Sequence, residues 1–114
     1  MIAAEYRPMV DKLIHLTQNK QLNWETTSDD NKYLITLGLN SVVIEKFASY
    51  PDDISVVSLE LLDGLGEKID GIYISEPDDD YNRMFELYGM ARRNALKIEQ
   101  TISNIMNVLN SKDS

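Results

Sequence analysis

Apolar positions in the last third of the chain recur at alternating steps of three and four: Tyr81, Met84, Tyr88, Ala91, Ala95, Ile98, Ile102, Ile105 and Leu109. This spacing predicts one long amphipathic helix with a near-heptad seam. At about 1.5 Å per residue it would run on the order of 40 Å. Strands of ~17–20 Å need less cover than that. The outer part of the seam, Ile98, Ile102, Ile105 and Leu109, is therefore expected to carry self-association. Pro77 and the carboxylates Asp78, Asp79 and Asp80 mark the start of this helix. A breaker followed by negative charge suits the positive end of a helix dipole, and these carboxylates are read as caps.

Upstream the period changes. Tyr6, Met9, Val10, Leu13, Leu16 and Thr17 share one face at helical spacing, which predicts a helix over residues 3–19. Pro8 fits its first turn, so the regular part is expected to begin near Arg7. Five strand-like runs follow: residues 22–26, 32–37, 40–47, 54–62 and 67–75. Turn clusters at 28–31, 38–40, 49–53 and 63–66 separate them. Gly71 inside the last run signals a bulge or a close backbone approach. Connections this short force neighbouring strands to be antiparallel. The expected fold is α+β: an antiparallel meander of about five strands, an N-terminal helix and a long C-terminal helix, in one domain spanning 1–114.

Composition narrows the function classes. The 114-residue chain has no Cys, which excludes disulfides and thiolate metal sites, and its single His15 falls opposite the stripe of the first helix. Ser/His and Cys/His nucleophilic chemistry therefore lacks its parts. Consecutive carboxylates at 78–80 diverge, unlike the alternating ligands of a calcium loop, so no metal and no cofactor are expected. The motif Gly64-Leu65-Gly66 leads into a strand and lacks the ending of a phosphate-binding loop. Net charge is −8, and residues 1–77 hold −7 of it. Such a field disfavours nucleic acid. The N-terminus lacks the basic start and apolar run of a secretion signal, and no run is long enough to span a membrane. A cytoplasmic location is expected.

Three residues stand out as ligand or partner candidates: Trp24, Tyr88 and Arg92. Trp24 is the only tryptophan; it shares a strand face with Leu22 and Thr26, and reads either as core or as an indole at a pocket or interface. Arg92 belongs to a basic stretch, 83–97, with net charge +3, which reads as intramolecular or intersubunit pairing with the sheet's carboxylates or as a site for an anionic ligand or acidic peptide. Arg92 flanks the seam, whereas Arg93 lies on the outer face of the helix.

The combination Leu22-x-Trp24-Glu25, then a meander, then Leu87-Tyr88-x-x-Ala91-Arg92-Arg93-x-Ala95 resembles a loose group of small stand-alone bacterial proteins of uncharacterised function. The resemblance spans residues 5–109 and implies an α+β fold without supplying an activity. The function expected from the residues is a non-enzymatic protein-interaction module of immunity, antitoxin or adaptor type. The alternative is a small-ligand domain with a pocket between sheet and terminal helix, near Trp24, Tyr88 and Arg92.

Overall fold

The computed structural model describes residues 1–113. Helix α1 (Arg7–Gln18) precedes strands β1 (Glu25–Thr26), β2 (Lys32–Leu37), β3 (Asn40–Ser49), β4 (Ile54–Leu62) and β5 (Lys68–Ser75). Helices α2 (Tyr81–Ala95) and α3 (Ile98–Asp113) complete the chain. The strands form one sheet in sequence order, every pair antiparallel. The α+β meander expected from the hydrophobic pattern is therefore the fold.

One face of the sheet carries the core. Tyr33, Ile35, Val42, Ile44, Val57, Leu59 and Ile74 point to it, and α2 answers with Tyr81, Met84, Leu87, Tyr88 and Ala91. Helix α2 crosses all five strands, and α1 packs on α2. The alternation of the strands and the three-four spacing of α2 interlock because each puts its apolar set on one side. Gly71 sits where β5 runs close to β4: a Cβ there would lie 3.0 Å from the Leu59 carbonyl oxygen. The register slips by one residue between Leu61 and Leu62. The glycine signal thus marks a close approach, with the bulge at Ile69, two residues nearer the turn.

Three expectations are corrected. The first strand is two residues long, because residues 22–24 turn Trp24 inward beneath the helices instead of continuing the ladder. The terminal helix is two helices. The seam passes through Ala95 and Ile98 without a gap in period, yet the backbone breaks at Leu96 and Lys97, and Lys97 adopts a left-handed conformation with φ +54. The Lys97 amide bonds to Asn94 O one residue short of helical register, which ends α2. No Pro or Gly announces this, so periodicity could not see it. Finally, the carboxylates before α2 do not cap it through their side chains. Asp78 accepts from the N-terminal ammonium and from the Asp80 amide. Asp80 accepts from the Ile2 amide at 2.8 Å and from the Arg7 guanidinium at 3.0 Å. They hold the N-terminal segment against the start of α2. The ammonium contact keeps the Asp78 carboxyl below its ordinary range.

Candidate functional site

The turn at Leu96–Lys97 creates two features, a cleft on one side of α3 and an open apolar face on the other. The cleft, of about 1200 Å³, lies between the end of α1, the segment leading into β1, the end of α2 and the first two turns of α3. Trp24 and Met90 form its apolar part; Lys20, Arg93 and Lys97 bring positive charge, and Glu25 and Glu99 negative.

Trp24 anchors this corner. Its side chain is only 4% exposed, its indole N–H donates to Thr17 Oγ1 at 3.0 Å, and its amide donates to Asn94 Oδ1 at 2.5 Å. Both donors of a buried residue are thereby satisfied. The contacts draw together the last turns of α1 and α2. Across the cleft, the Lys20 ammonium lies 2.8 Å from Glu99 Oε2 and holds the Glu99 carboxyl below its ordinary range. Lys20 has a left-handed backbone, φ +63, like Lys97 on the opposite wall.

The three ligand candidates do not meet. Trp24 borders the cleft. Tyr88 lies between α2 and the sheet, its ring centroid 5.8 Å from that of Tyr33 and its hydroxyl donating to Asn31 Oδ1 at 3.3 Å. Burial pushes the Tyr88 phenol up. Arg92 is exposed, and no side-chain hydrogen bond or ion pair holds its guanidinium among the described residues. It is Arg93, on the face read as outer, that borders the cleft. Nor does the basic stretch pair with the sheet of its own chain among the described residues. Arg83 binds Asp11 of α1 through two nitrogens, at 2.6 and 3.0 Å, because α1 and not a strand lies beside that face of α2. Sequence reasoning passed over Lys20 and Asn94, and placed Lys97 only within the basic stretch. Their part depends on backbone turns that periodicity does not encode. His15 is exposed and contacts Asn19, one turn on.

The second feature is α3 itself. None of its side chains is buried. Glu99, Gln100 and Ser103 face the cleft. At 3.6 residues per turn, Ile102, Ile105 and Leu109 fall on the far side, away from the body, in line with Ile98, which is half-buried where α3 begins. Ile102, Ile105 and Leu109 are 51%, 53% and 52% exposed, and Met106 and Val108 widen the patch. An ordinary surface helix turns its apolar stripe to the core and its polar side to water. α3 does the reverse.

Comparison of the chain with protein-family models, with curated proteins and with solved structures returns no match. No helix of the described residues is long and apolar enough to cross a membrane.

Proposed function

We propose that this protein is a non-enzymatic protein-interaction module that self-associates through α3, its sheet and first two helices serving as the platform that presents that helix. The inverted amphipathicity of α3 carries the reading: its polar residues Glu99, Gln100 and Ser103 turn to the body, and its isoleucine seam turns to solvent. A second observation supports it. α3 is rich in β-branched residues and in Asn104, Asn107 and Asn110, all weak helix formers. A 16-residue helix made half of such residues, with no buried side chain, is marginal alone and gains stability when its apolar side is covered. A role of immunity, antitoxin or adaptor type in a bacterial cytoplasm fits such a module.

Replacing Ile102 with Glu tests this. The side chain is half exposed in the single chain, so the variant should fold with an unchanged thermal midpoint in dilute solution. At hundreds of micromolar the parent chain should sediment above monomer mass and the variant as monomer, because a carboxylate buried at the seam is strongly unfavourable. A parent chain that stays monomeric at that concentration contradicts the reading.

The cleft favours a second reading, a site for a small anionic molecule. Lys20, Arg93 and Lys97 supply three cations against the carboxylates of Glu25 and Glu99 in a chain of net charge −8. Trp24, the sole tryptophan, borders the space and would report occupancy by its fluorescence. Emission unmoved by a panel of di- and tricarboxylates and phosphates would count against this reading.

A further inference from the structure

Resting on the self-association reading, we propose that two copies of the chain pair antiparallel along α3, about a two-fold axis between Ser103 and Asn104. Ile98 of one copy then meets Leu109 of the other, and Ile102 meets Ile105. The spacing of the seam points to this register. From Ile98 the steps are four, three and four, the same read from either end. A two-fold interface requires that if one position meets another, the second meets the first in return. An antiparallel pair of α3 seams satisfies this with every apolar position matched.

Charge separates this arrangement from a parallel one. Lys112 continues the seam, one step of three beyond Leu109. In a parallel, in-register pair two Lys112 ammonium groups would face each other inside the contact. Antiparallel pairing carries each Lys112 past the end of its partner's isoleucines. The bodies give a second reason. Residues 1–97 hold ten basic and seventeen acidic side chains, a net −7, whereas residues 98–113 hold one and two. Parallel helices would set two acidic bodies side by side. Antiparallel ones place them at opposite ends of a helix about 24 Å long, roughly three Debye lengths at physiological ionic strength. The near-neutral helix is thus the part of this molecule on which two copies approach with least repulsion.

Other occupants fit less well. Helices that lie on membranes carry Lys and Arg along their polar side, and α3 has only Lys112. The area also sets the strength. A strip about 24 Å by 10 Å gives each copy a contact of a few hundred Å², below the ~800 Å² per partner of a standard interface. An interface of this size belongs to the weak, reversible class.

The absence of cysteine makes the test direct. Ile98→Cys and Leu109→Cys are prepared separately, and each is oxidised gently alone and mixed with the other. The mixture should yield about tenfold more disulfide-linked dimer than either variant alone, because only the 98–109 pair brings the sulfurs within bonding reach. Efficient linking of Ile98→Cys to itself would show a parallel pair, overturning the orientation while leaving self-association standing. A dimer mass by sedimentation with no linking in any sample would place the contact elsewhere and overturn the proposal. A monomer mass with no linking would remove the parent reading as well. Co-sedimentation of the unmodified monomer with anionic vesicles would assign the face to lipid and overturn both.

Discussion

Lys20 and Glu99 are joined by an ion pair of 2.8 Å that ties the residue just past α1 to the first turn of α3. Among the described residues it is the one ion pair between α3 and the body. Both side chains are mostly exposed, so it orients the helix more than it stabilises the fold. Lys20→Met should leave the thermal midpoint unchanged. It should broaden the distance distribution between labels on cysteines placed at Gln18 and Ser103, as should high salt in the parent chain. A midpoint several degrees lower, with the distribution unaltered, would make the pair structural.

Trp24 and Thr17 give a contrasting case, since their hydrogen bond is buried. Thr17→Val keeps the volume and strands the indole N–H. It should cost about 1–3 kcal/mol in urea unfolding, the usual penalty for an unsatisfied buried donor. A loss below about 0.5 kcal/mol would mean that the indole finds water, and that the cleft reaches deeper than the structure places it.

Stability should fall on both sides of neutrality. On the acid side, the Asp78 carboxyl is held down by the N-terminal ammonium, Asp70 by the Tyr6 hydroxyl and Glu60 by the Tyr73 hydroxyl. Each contributes stability that is present above the unfolded carboxyl range, about 4, and is lost as pH drops below it. On the alkaline side, burial and then the Asp70 carboxylate push the Tyr6 phenol up to about 12. Its neutral form is favoured in the fold, so this contribution is complete below about pH 10 and disappears as pH rises toward the folded value. Urea midpoints at pH 3, 7, 9 and 11 check both limbs, and Tyr6→Phe should flatten the alkaline one. An unchanged alkaline slope in that variant would contradict the assignment.

The strands and the first helix were legible because each element carries its own period, and β2 and β4 fall within the boundaries the alternation predicts. What escaped was set by contacts between distant segments. Residues 22–24 carry a strand pattern, but the Thr17 and Asn94 partners pull Trp24 out of the ladder. The seam runs unbroken through Ala95 and Ile98, and only the left-handed Lys97 tells that the helix stops there. Grouping Tyr88 and Arg92 with Trp24 assumed one continuous helix against the sheet. With the helix broken, Arg93 and Lys97 border the space instead. The isoleucine seam of α3, by contrast, keeps its spacing, because the break changed the direction of the helix and not its amphipathic pattern.

Hydrogen exchange across α3 as a function of protein concentration tests the account most directly. At low micromolar, residues 98–113 should exchange quickly, as a lone helix with no buried side chain does, while α1 and α2 stay protected. At several hundred micromolar, the amides around Ile102 and Ile105 should slow markedly and those of α1 and α2 should not change. Exchange in α3 that is the same at both concentrations would contradict self-association through this helix.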